Sequence, residues 1–174
     1  MAVTHPPHRS LRAELTHKAP TSGTDTEGPV HHSGTLIVNE RNQIVRDFNY
    51  GPVAIDGQRR HGTWPQHDIG KELNKSNYYQ QNRIVTPPAG MTDDEFASKV
   101  TASAEDFSKY LIDNEVGFNI NSSGSAFNCN ESTTSVINNA GGTVPKPPEP
   151  LSNWGDSITR PFYNPNHGFP KKYE

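Results

Sequence analysis

Apolar positions recur at helical spacing in two late stretches of the chain and cluster at strand spacing in a region before them. The clearest pattern follows Thr92-Asp93-Asp94-Glu95, where Phe96, Val100, Ala104, Phe107 and Leu111 fall three and four residues apart. That spacing lays one apolar stripe along about five turns of helix. The Thr92 hydroxyl can accept the Glu95 N–H while the Glu95 carboxylate reaches back, the capping-box arrangement of a helix start. A second helix is expected from about Asn128 to Ala140, stopped by Gly141-Gly142. Its inward side would carry Cys129, Thr133, Val136, Ile137 and Ala140.

Upstream, Thr35-Leu36-Ile37-Val38 is a β-branched run, Glu40-Arg41-Asn42-Gln43 a polar turn, and Ile44-Val45-Arg46-Asp47-Phe48 a second run. Residues 32–49 therefore predict an antiparallel hairpin. Gly51-Pro52 is expected to end its second strand, and Val53-Ala54-Ile55 to form a third that turns at Asp56-Gly57. Residues 57–82 show no clear period. Arg83-Ile84-Val85-Thr86 reads as a short strand stopped by Pro87-Pro88. The fold class is α+β: a small antiparallel sheet packed on the helix that begins near Asn128 and on a second, amphipathic helix.

Residues 1–29 are rich in Pro, Thr, His and charge without a sustained period, and predict a flexible or loosely packed N-terminal arm. The folded domain is expected over 30–150. Residues 151–174 close the chain as an irregular tail packed on the domain, part of a Pro- and aromatic-dense stretch that begins at Pro145.

Composition narrows the picture. With 174 residues, 30% apolar residues, 14 Gly and 15 Pro, the chain suits one domain with a small core and long connections. A net charge of −3 gives no reason to expect nucleic acid or stable membrane insertion. No apolar run approaches the roughly 18 residues of a membrane helix. Nothing in the first residues could serve as a Sec signal core, so synthesis in the cytoplasm is expected and export by a signal-independent system stays open.

The candidate chemistry centres on the single cysteine, Cys129. A thiol at a helix start is stabilised as thiolate by unpaired backbone N–H groups and the helix dipole. A flexible loop, Asn121-Ser122-Ser123-Gly124-Ser125, precedes it. Asn128 or Asn130 could donate, beside the Cys129 N–H, to a developing oxyanion; helix N-capping is the plainer role for Asn128. A general base must come from a rigid element, and His32, ahead of Ser33-Gly34 at the mouth of the hairpin, is favoured over His31. The neighbouring strand offers Asp47 and Asn49 as acceptors to orient that histidine, and both remain open.

These residues resemble a family. A histidine before Ser-Gly and a hairpin, then Asn49-Tyr50-Gly51-Pro52, then Asn128-Cys129-Asn130 opening a helix, is similar to the permuted papain-fold hydrolases. That group includes NlpC-like, PPPDE-type and lecithin:retinol acyltransferase-like proteins. In ordinary papain folds the cysteine precedes the histidine, whereas permuted members reverse the order, as here. The resemblance covers about 30–150 and extends to effector domains of polymorphic toxins and type VI secretion. It implies a cysteine amidase or peptidase acting on peptidoglycan peptides in a target-cell periplasm, a cognate immunity protein as partner, and no cofactor. Glu131-Ser132-Thr133 departs from the pattern, which has an apolar or aromatic residue shortly after Asn-Cys-Asn.

Other readings compete. Lipid acyl-ester hydrolysis or acyl transfer is the alternative chemistry of the same fold. A metal site could draw on His31, His32, His61, His67 and Asp68, but no ligand spacing such as HExxH is present. A binding module without catalysis would use Trp64, Tyr78-Tyr79 and Trp154 as exposed contacts.

Overall fold

A computed structural model of the chain describes residues 10–18, 32–66, 68–73, 81–118 and 128–144. The expectations for His31, His67, Tyr78-Tyr79, the Asn121–Ser125 loop, Trp154 and the 151–174 tail lie outside the described residues. The architecture is α+β. Among the described residues, five strands, β1 (Arg12–Lys18), β2 (His32–Val38), β3 (Ile44–Ile55), β4 (Gln58–Thr63) and β5 (Gln81–Ile84), form one antiparallel sheet in the order β4-β3-β2-β1-β5. Two helices, α1 (Asp93–Asp113) and α2 (Cys129–Asn139), follow in the chain.

The expected hairpin is β2 and β3. Its turn is held by the Asn39 side chain, whose Oδ1 accepts the N–H groups of Arg41 and Gln43, each at 3.0 Å. The expected break at Gly51-Pro52 does not occur, and β3 runs through it to Ile55. The reason is pairing. β3 bonds β2 as far as Asn49 and β4 from Tyr50 onward, so Pro52 falls where one edge of the strand has no ladder to interrupt. Asp56 and Gly57 both take positive φ, 51° and 73°, and close a two-residue hairpin into β4. β4 itself, Gln-Arg-Arg-His-Gly-Thr, has too little apolar content to be seen as a period.

A larger correction concerns the N-terminal arm. Within it, residues 12–18 form β1, an inner strand between β2 and β5. Ala13 and Leu15 are buried, and Arg12 ties the strand to the hairpin turn through Asn39 O at 3.2 Å and Asn42 Oδ1 at 2.5 Å. β5 starts two residues earlier than the apolar run suggests and, among the described residues, pairs with β1 alone.

The core lies between one sheet face and the helices. Leu15, Ile37, Phe48 and Tyr50 from the sheet meet Phe96, Val100, Ala104, Phe107 and Leu111 of α1 and Val136 and Ile137 of α2. Each such large side chain contributes roughly 1.5–3 kcal/mol on burial. Tyr50 is fully buried and its hydroxyl donates to Ala104 O at 3.1 Å. Leu36, Val38, Ile44 and Leu73 form a second cluster. The α1 capping box and apolar stripe stand as the sequence indicates. α2 differs: Cys129 to Ile137 is buried on every side rather than along one stripe, although most of that stretch is polar. Among the described residues, no helix is long and apolar enough to cross a membrane.

Candidate active site

α2 is polar and buried because its side chains bond to the strands around it. Asn128 caps the helix, its Oδ1 accepting Glu131 N–H at 3.0 Å while Glu131 Oε2 accepts Asn128 N–H at 3.0 Å. Ser33 Oγ donates to Asn130 Oδ1 at 2.6 Å, and Thr133 Oγ1 donates to Ser33 O at 3.1 Å. These bonds hold the first turn of α2 against the start of β2. Cys129 therefore stands beside His32.

The sulfur sits in a set of donors. Burial alone pushes the Cys129 thiol up. The charge of His32, a hydrogen bond from His32, and the backbone N–H groups of Ser33 and Asn130 outweigh it, and the thiol is held below its ordinary value. Cys129 is 5% exposed, so water screens little of this.

His32 is oriented from its far side. Its Nε2 lies 2.9 Å from Asn49 Oδ1, and with that nitrogen engaged Nδ1 is left for the sulfur. Asn49 reaches the ring by crossing Gly34, its register partner on β2. A Cβ at Gly34 would collide with Asn49 Oδ1 and stand 3.0 Å from its Cγ, so the small residue is required for this contact. Asn49 Nδ2 in turn donates to Asp47 Oδ1, two residues back on the same face of β3. Both acceptors offered by the sequence are thus in the site, Asn49 on the histidine and Asp47 behind it.

Trp64 completes the surroundings of the imidazole. Its ring stacks on His32 with centroids 4.8 Å apart and planes at 14°. It lies where a Cβ at Gly51 would clash, and its Nε1 donates to Pro52 O at 3.3 Å. As an exposed binding contact it is misplaced; it is half-buried against the imidazole. Its position was not legible because nothing local in 57–82 marks β4.

In both asparagines beside the cysteine the amide oxygen is engaged, and Nδ2 is the end that could donate to an oxyanion. Asn128 carries its expected alternative role as the cap. Asn130 turns its carbonyl oxygen toward Ser33, and that oxygen is 3.9 Å from the sulfur. The backbone N–H of Cys129, at the first helical position, is the donor that helix geometry leaves without an intrahelical partner.

A second histidine was missed as part of this neighbourhood. His61 on β4 is 1% exposed, with Nε2 2.6 Å from Ser132 Oγ, one turn along α2 from Cys129. Ser132 donates its proton to Asn128 O at 3.0 Å, so His61 Nε2–H donates to Ser132 and Nδ1 carries the lone pair. Burial, then the charge of His32, pushes His61 down to about 3. It is a neutral ring stacked on Phe118 and Tyr50. Among the described residues, no three His, Cys, Asp or Glu groups gather as a metal-binding cluster.

Chemically, the arrangement is a thiol prepared to ionise, an imidazole able to take and return its proton, and an amide that fixes the imidazole. Those are the parts of nucleophilic acyl transfer. No protein-family model, curated protein or solved structure matches this chain.

Proposed function

We propose that the protein is a cysteine hydrolase, an amidase or endopeptidase, with Cys129 as nucleophile, His32 as general base and Asn49 orienting the base. The observation that carries this reading is the convergence of α2, β2 and β3 on one sulfur, which receives His32 and two backbone N–H groups. In the reaction, His32 Nδ1 takes the Sγ proton and the thiolate attacks the substrate carbonyl carbon. The Cys129 N–H holds the developing oxyanion. His32 then gives its proton to the leaving amine, and water releases the acyl group from sulfur by the reverse sequence.

The histidine comes before the cysteine in the chain, which supports a permuted papain-like domain. On that resemblance the substrate is the peptide part of bacterial peptidoglycan, and the protein acts as an antagonistic effector in the periplasm of a target cell. An immunity protein would neutralise it by covering Cys129. Expression of wild type and Cys129→Ala in the cytoplasm and the periplasm of a bacterium tests this. Lysis from periplasmic wild type alone, with new cleavage products in the digested cell wall, is the expected result. Equal toxicity of Cys129→Ala would overturn the enzyme reading, and lysis from the cytoplasm would overturn the substrate.

A further inference from the structure

The amide of Asn49 is the weak point of the triad. Its two ends have nearly the same shape, yet one accepts a hydrogen bond and the other donates two. With oxygen toward His32, the ring keeps a proton on Nε2, and Nδ1 is free to take the proton from sulfur. With NH₂ toward His32, Nε2 must be the lone-pair nitrogen, the proton moves to Nδ1, and the base is lost. Neither His32 nor Gly34 decides between these orientations.

We propose that Asp47 is a positioning residue that decides it. A carboxylate at Oδ1 of Asp47 only accepts, so it holds the Asn49 Nδ2 end and leaves Asn49 Oδ1 for His32. The placement suits the task. Asp47 and Asn49 are 1% and 2% exposed, so water does not compete for either amide end. They share one face of β3, and the Gly34 gap lets Asn49 lie flat toward the ring. The inference rests on reading Cys129 and His32 as nucleophile and base. Among the described residues, the titratable groups that face the imidazole or its amide partner are Cys129 of α2, Asp47 of β3 and His61 of β4, and burial keeps His61 neutral.

The test needs no substrate. The rate of Cys129 alkylation by iodoacetamide is measured at about pH 7, where only a prepared thiolate reacts quickly, and at about pH 10, where any accessible cysteine is ionised. The ratio of the two rates is the readout. Asp47→Asn removes the obligate acceptor with little change of shape, and is expected to lower the ratio by about tenfold with the alkaline rate unchanged. The double variant Asp47→Asn with Asn49→Asp reverses the polarity of the pair. Its carboxylate at 49 accepts from both His32 and residue 47, so the ratio returns to within about threefold of wild type.

A ratio in Asp47→Asn equal to wild type would overturn the inference while leaving the enzyme reading intact. So would a double variant no better than the single one. If Asp47→Asn does not fold, the double variant decides alone, and a tenfold loss in it is the overturning result. A wild-type ratio equal to that of a free cysteine peptide would remove the enzyme reading and this inference together.

Discussion

At the scale of single residues, Cys129 and Gly34 do different work for the same site. Burial raises the Cys129 pKa and the charge of His32 leads the influences that outweigh it, so the lowering should vanish with His32. Alkylation of wild type near neutral pH is expected to outpace that of a free cysteine peptide, and His32→Ala should return it to the ordinary thiol profile. Gly34 contributes only absence. Gly34→Ala places a methyl group where Asn49 Oδ1 lies, so Asn49 must leave His32. The expected result is a neutral-pH alkylation rate about tenfold lower with the alkaline rate retained. An unchanged neutral rate would show that Asn49 does not orient the ring. Cys129, His32 and the Asp47/Asn49 pair were legible because each sits where helix-start and strand periodicity fix its location. Trp64 and His61 were not, because a strand of polar residues gives no period to read.

Between elements, β4 meets α2 through His61 and Ser132, and the burial of His61 there makes stability depend on pH. His61 titrates near 6.5 in an unfolded chain and at about 3 in the fold. Over that interval the unfolded chain binds the additional proton, so stability is complete above about pH 6.5 and declines as pH falls, levelling near pH 3. The slope from this one group is about 1.4 kcal/mol per pH unit. His61→Phe keeps the stacking on Tyr50 and Phe118, and Ser132 keeps Asn128 O as acceptor. Urea titrations at about pH 7 and pH 5 should show a smaller acid loss in this variant than in wild type, by roughly 1–2 kcal/mol. Equal losses in the two proteins would show that His61 is protonated in the fold. The buried polar face of α2 was invisible to a hydrophobic-stripe argument for a related reason: Ser33, Asn130 and Thr133 satisfy one another only after the sheet is in place.

For the whole molecule, the sheet depends on a strand that sequence pattern assigns to a loose arm. Only Ala13 and Leu15 mark β1 as apolar, and two inward residues in seven do not make a period. Long-range pairing supplies the rest: β1 bonds β2 over seven residue pairs, Arg12↔Val38 through Lys18↔His32, and among the described residues is the sole strand partner of β5. The same β1–β2 ladder ends at His32, so the base of the proposed site is fixed by the strand that looked dispensable. Leu15→Ala opens a cavity in the main core and is expected to cost about 2–5 kcal/mol. Ile84→Ala, on the outer strand and 63% exposed, should stay within roughly 0.5 kcal/mol of wild type. Deletion of residues 12–18 should abolish cooperative unfolding altogether, because it separates β5 from the sheet and exposes the β2 edge. Denaturant midpoints for the three variants check the order. Cooperative unfolding of the deletion variant with a midpoint near that of wild type would mean that β2, β3 and β4 hold the site without β1, and that the arm is expendable after all.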